Sequence, residues 1–116
     1  PVEHLCSLIQ GERNGSSSEE IARALHPTPA VGGLPRAQAS AFIRQREGYD
    51  RRFYAGYFGW TESERSVFYV NLRCLEWGSD GVLCYAGGGI TSKSRPEQEW
   101  EETEQKLKTL ERVIFG

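Results

Sequence analysis

The sequence predicts an α+β fold, an antiparallel sheet with packed helices in the order β-α-α-β-β-β-α. Three observations carry that prediction. Between Arg51 and Ile90, three runs rich in aromatic and β-branched residues follow one another across short polar or glycine-bearing turns, as in an antiparallel meander. Two stretches before these runs and one after them have helical spacing and helix-start residues. The 116 residues suit one domain with a modest core, short for an enzyme that encloses a substrate between two halves.

The elements follow in chain order. "VEHLCSLIQG", Val2 to Gly11, has strand composition, and the Gly-Ser-rich "GERNGSSS" ends it. "SSEEIARALH" opens a short helix with Ser and Glu at its front. "HPTPAVGGLP", His26 to Pro35, is expected to lack regular structure, because two prolines flank Thr28 and a glycine pair follows. Pro35 fits the first turn of the next helix, "PRAQASAFIRQRE", where Ala39, Phe42, Ile43 and Arg46 keep helical spacing. "RRFYAGYFGW", "SVFYVNLRCLEW" and "GVLCYAGGGI" are the three strands, joined by "TESER" and "GSDG". Pro96 to about Phe115 is the last helix.

Composition narrows the function classes. A net charge of −2 with interspersed signs gives no basic stripe for a phosphate backbone, so nucleic acid is not an expected partner. No apolar run approaches the roughly 20 residues of a membrane helix, and no signal peptide opens the chain, so a cytoplasmic protein with no membrane partner is expected. Cys6, Cys74 and Cys84 lack CxxC spacing and read as small buried hydrophobes in a reducing compartment. The absence of methionine and a start that reads directly as a strand suggest a piece of something larger.

Several constellations point to chemistry. "SRPEQEWEETEQK", Ser94 to Lys106, is either a solvated acidic helix start, with Ser94 and Glu97 as a capping box, or a source of metal and anion ligands. Helical geometry puts Glu99 and Lys106 beside the apolar stripe of Leu107, Leu110 and Ile114, and Glu101, Lys108 and Arg112 on the solvated side. Charges beside a buried stripe need partners. The three glycines of "YAGGGI" form either a strand-end bend or a nest of backbone N–H groups for an anion. Strand alternation puts Arg73 with Tyr69 and Asn71 on the polar side of the sheet, as a solvated side chain or a carboxylate clamp. Tyr54 has core packing as its plain alternative, and His26 a loop cap. Together these residues describe a site for an acidic ligand with a hard cation, for which magnesium suits the oxygen donors.

"LHPTPAVGGLP" (Leu25 to Pro35), "FYAGYFGW" (Phe53 to Trp60), "NLR" ending at Arg73, "YAGGGI" (Tyr85 to Ile90) and "PEQEWEETEQK" (Pro96 to Lys106) together resemble the chorismate-utilising enzymes, and among them the isochorismate synthases of menaquinone and siderophore pathways. The resemblance implies that residues 1–116 are the C-terminal portion of a larger chorismate-binding catalytic fold. It implies a magnesium ligand at Glu99, with Glu102 helping directly or through water. It also implies that Tyr54, Arg73 and the amides around Gly87 and Gly89 hold the enolpyruvyl carboxylate of chorismate. Lys106 then lies near the carboxylate end of the substrate, and His26, Thr28 and Ala30 lie against its ring.

Anthranilate-forming relatives resemble "GTxSGAPK" in the proline loop and salicylate-forming ones "HPSVTASG", so "HPTPAVGGLP" favours isochorismate as the product. Arg95 in place of an acid, "NLRCLE" in place of "AIRSA" and "AGGGI" in place of "AGAGI" depart from the pattern without removing a matched side chain. The family's catalytic lysine, general-acid glutamate and further metal-binding glutamate match nothing here and are expected upstream. The chain alone is therefore expected to be inactive, with the missing N-terminal part as its partner, exposed apolar surface where that part packs, and self-association as a way of covering it. An anthranilate or salicylate synthase, or a non-catalytic ligand-binding module, are the alternative readings.

Overall fold

The computed structural model describes residues 6–116, whose elements run α1 (Ser18–Leu25), α2 (Pro29–Gly32), α3 (Arg36–Arg46), β1 (Tyr57–Thr61), β2 (Ser66–Val70), β3 (Cys74–Gly78), β4 (Gly81–Tyr85) and α4 (Pro96–Phe115). The α+β class and antiparallel pairing agree with the sequence. The element order does not, because all four strands among the described residues follow the first three helices. Four strands form two separate two-stranded sheets, β1 with β2 and β3 with β4. The first expected strand is absent over residues 6–11, and its earlier part, 2–5, lies outside the described residues.

Local chemistry explains most of the elements. Ser17 caps α1 through a reciprocal box with Glu20: the Ser17 hydroxyl accepts from the Glu20 amide at 3.1 Å, and the Glu20 carboxylate accepts from the Ser17 amide at 2.7 Å. The proline loop is not wholly irregular, because Pro29 sits at the first position of the one-turn α2, where its missing N–H costs nothing. Pro35 stands just before α3 rather than inside its first turn. In α4, the capping box expected of Ser94 and Glu97 does not form. Arg95 occupies the cap position, and the Ser94 hydroxyl accepts from the Thr91 amide instead.

The expected strand over 66–77 is broken because Asn71 is committed elsewhere. Its amide donates to Gly56 O at 2.8 Å, its carbonyl accepts from Ala55 at 2.7 Å, and its side-chain amide donates to Phe53 O at 2.9 Å. These bonds fasten the turn over 51–56 to the end of β2, and the chain bends at Leu72 and Arg73 before β3 begins. For the same reason the first run is a strand only from Tyr57. Arg52 and Ala55 take left-handed conformations within that turn, φ 50° and 61°, which non-glycine residues rarely adopt without surrounding restraint. Ala55 is buried as well, one of only two buried apolar residues among those described; the other is Tyr85.

So small a core leaves much surface open. The accessible area is 10304 Å², against roughly 6,400 Å² for a free-standing domain of this mass. The radius of gyration is 16.5 Å, against about 13 Å. Phe58, Trp60 and Tyr69 stand exposed together across β1 and β2, with ring centroids 5.9 and 6.1 Å apart, and Phe53, Trp77 and Trp100 are exposed elsewhere. This is the apolar exposure expected from the sequence. Cys6 corrects another expectation: it is exposed, while Cys74 and Cys84 are half-buried, and all three are free thiols. Among the described residues no helix is long and apolar enough to cross a membrane.

Candidate functional site

The turn over 51–56, the bend at 72–73, the glycines after β4 and the side of α4 meet at an open cleft of about 230 Å³. Six of the residues singled out in the sequence line it: Ala30, Tyr54, Arg73, Gly87, Gly89 and Lys106. Val31, Arg51, Ala55, Leu72 and Gly88 complete the wall, so the lining carries three cations and no carboxylate. Such a cleft favours an anion.

Each of the polar groups has a defined setting. Tyr54 is half-buried and stacks on Tyr85, with centroids 5.5 Å apart and planes 18° from parallel. Burial, followed by the neighbouring Tyr49, pushes the Tyr54 phenol above its ordinary value and keeps it a hydrogen-bond donor. A side chain at Gly87 would collide with the Tyr54 hydroxyl, so that glycine is required by close approach and not by backbone conformation. Lys106 donates to Gly87 O at 2.9 Å and pairs with Glu102 at 2.6 Å. Arg73 is exposed and takes part in none of the three ion pairs among the described residues. It owes its place in the cleft to the bend between β2 and β3, where strand alternation had put it on a continuous polar face.

Glu99 reaches the same glycines from α4. A Cβ on Gly88 would lie 3.3 Å from Glu99 Oε2 and 3.9 Å from Lys106 Nζ. Glu99, Lys106, Leu107, Leu110 and Ile114 are half-buried while Glu101, Lys108 and Arg112 are exposed, the division that helical geometry anticipates. Among the described residues the Glu99 carboxylate forms no ion pair, whereas exposed Glu102 is engaged by Lys106. Among the described residues no group of three or more His, Cys, Asp or Glu gathers there. One free and one shared carboxylate, a helical turn apart, still fit a hard divalent cation that takes its remaining oxygens from water or substrate. Beyond Glu99, Ile90, Pro96, Trp100 and Thr103 line an apolar hollow.

Four sequence candidates are not in the cleft lining: Glu99 and Glu102 on the adjoining side of α4, and His26 and Thr28. His26 packs its ring 5.1 Å from that of Tyr57, and its Nδ1 is buried without a hydrogen-bond partner among the described residues. Thr28 heads α2, its carbonyl accepting from the amides of Val31 and Gly32 while its side chain caps nothing. Arg51 was not anticipated. Its spacing from Glu47, one helical turn, was the available signal.

The Lys106 hydrogen bond, and then its charge, lower the Glu102 pKa below the ordinary 4.5. The pair's contribution should be complete above that value and disappear as pH falls through the lower folded value. Carbon-detected titration of Glu102 should therefore show a depressed midpoint that rises towards 4.5 in Lys106→Gln. An unchanged midpoint would mean that the two side chains do not meet in solution.

The chain is matched over residues 1–115 by the family model described as chorismate binding enzyme. MenF of Mycobacterium tuberculosis (strain ATCC 25618 / H37Rv) is 45% identical over 114 residues, 94% of this chain and 30% of that protein. Isochorismate synthase DhbC of Bacillus subtilis (strain 168) is 40% identical, covering 96% of this chain and 29% of its own length. The vibriobactin-specific isochorismate synthase of Vibrio cholerae is 39% identical, with 92% and 28% covered. The chain thus spans less than a third of the curated relatives it matches. No solved structure matches it.

Proposed function

The chain belongs to the chorismate-binding enzyme family, and from that membership we propose that it is the C-terminal portion of a magnesium-dependent isochorismate synthase serving menaquinone or siderophore synthesis. The observation that carries this reading is the cation-lined cleft with Tyr54, Arg73, Lys106 and Gly87–Gly89 in its wall and the uncommitted Glu99 carboxylate across Gly88. Isochorismate synthases among the relatives support the choice of product.

Arg73 offers a planar fork for a carboxylate, the Tyr54 hydroxyl adds a donor, and the glycines add backbone N–H groups with no side chains of their own in the way. Lys106, anchored on Gly87 O, holds a second positive charge beside them. Ala30 presents a small side chain to the substrate ring, with His26 and Thr28 supporting that loop from outside the cleft. Glu99, assisted by Glu102, holds magnesium, which when bound supplies positive charge to substrate oxygens.

The reaction adds water at C2 of chorismate and expels the C4 hydroxyl, leaving composition unchanged. Its general base and general acid come from the rest of the polypeptide, so the 116-residue chain alone is inactive. That remaining part covers the exposed aromatic surface, and in its absence copies of the chain self-associate through it. The test is product identification by NMR after the full-length protein is given chorismate and magnesium, with and without ammonium. Isochorismate in both cases is the expected result. Anthranilate, salicylate or no conversion would overturn the assignment, as would turnover by the isolated chain.

A further inference from the structure

Arg51 connects three segments of the chain. Its Nε donates to Glu47 Oε2 at 2.6 Å, and its Nη2 bonds the other oxygen of the same carboxylate, a two-pronged pair fixed to the end of α3. Its Nη1 reaches back to Val31 O at 3.2 Å, next to Ala30. The guanidinium carbon lies 5.7 Å from the centre of the Tyr54 ring, and the side chain itself forms part of the cleft wall. Both members of the pair are about three-quarters buried, so solvent screens them less than an ordinary surface pair.

We propose that Arg51, oriented by Glu47, is a positioning residue that locks Tyr54 and the Ala30–Val31 turn into one geometry at the cleft. The proposal rests on the isochorismate synthase reading, in which these two segments face the carboxylate and the ring of one substrate. Independent movement of either would spoil their shared fit. Arginine is required because the task needs a planar fork for the carboxylate, a further N–H for the carbonyl and a flat face near the aromatic ring. Lysine offers one point charge in place of all three. Arg51 need not touch the substrate.

The experiment compares the full-length enzyme with its Arg51→Ala, Arg51→Lys and Glu47→Gln variants, with Arg44→Ala on the exposed side of α3 as control. Chorismate kinetics and the ring resonances of 13C-labelled Tyr54 are followed in each. Arg51→Ala should lose about 100-fold in kcat/KM, mostly through KM. Arg51→Lys, which keeps charge and bulk if the alanine variant folds poorly, should lose about tenfold. The Tyr54 resonances should move in all three variants and stay in place in the control. Kinetics of the Arg51 variants within twofold of wild type, or unmoved Tyr54 resonances, would overturn the proposal. Wild type inactive on chorismate would refute the functional reading instead, and the Tyr54 resonances would then decide whether Arg51 sets the ring.

Discussion

Exchange of Glu99 for glutamine in the full-length enzyme should remove magnesium-dependent turnover, lowering kcat by about a thousandfold, the equivalent of roughly 4 kcal/mol. The size follows from the setting of this carboxylate. Glu99 is half-buried on α4, pairs with no cation among the described residues and approaches Gly88 at the edge of the cleft. Glutamine keeps its shape but is a neutral, poor ligand for a hard cation. Glu102 is exposed and already engaged by Lys106, so Glu102→Gln should cost only about tenfold. Steady-state kinetics over a magnesium titration checks both. A Glu99→Gln enzyme within tenfold of wild type, with the same magnesium requirement, would remove Glu99 from the metal site.

Gly87→Ala should cost about 1–3 kcal/mol in substrate binding, or about 10- to 100-fold in kcat/KM. The new methyl would strike the hydroxyl of Tyr54, whose ring cannot turn aside freely because it stacks on Tyr85 and lies beside Arg51. Gly89 provides the contrast. A Cβ there meets nothing within 4 Å, so Gly89→Ala should be much milder. Adding Tyr54→Phe to Gly87→Ala removes the colliding oxygen, and the double variant should lose less than the sum of the two single variants. Equal losses for the two alanine variants, or strict additivity in the double, would show that contact between residues 54 and 87 does not shape the site.

What could be read from the sequence was local chemistry. The capping of α1, the extent of α4 and its division into half-buried and exposed sides all follow from residues within a few positions of one another. The break between β2 and β3 does not. "SVFYVNLRCLEW" is apolar and β-prone throughout, and what ends β2 is the bonding of Asn71 to residues 53–56, a tertiary event invisible in composition. The helical turn after Thr28 was hidden by its prolines, although Pro29 occupies the helical position that tolerates one. Of the site, periodicity placed Glu99 and Lys106 beside the apolar stripe and Arg73 on a polar face, while the individual roles of the cleft residues came from spaced motifs resembling a family. Arg51 was missed because its role lies in contacts with Val31 and Tyr54, and only its spacing from Glu47 is local.

The most direct test is a crystal structure of the full-length enzyme with magnesium and bound substrate or product. Magnesium should be bound by a Glu99 carboxylate oxygen, with a ligand carboxylate held between Arg73, Tyr54 and the amides of Gly87–Gly89. A ligand bound elsewhere, with the Glu99 carboxylate facing only protein or solvent, would contradict it.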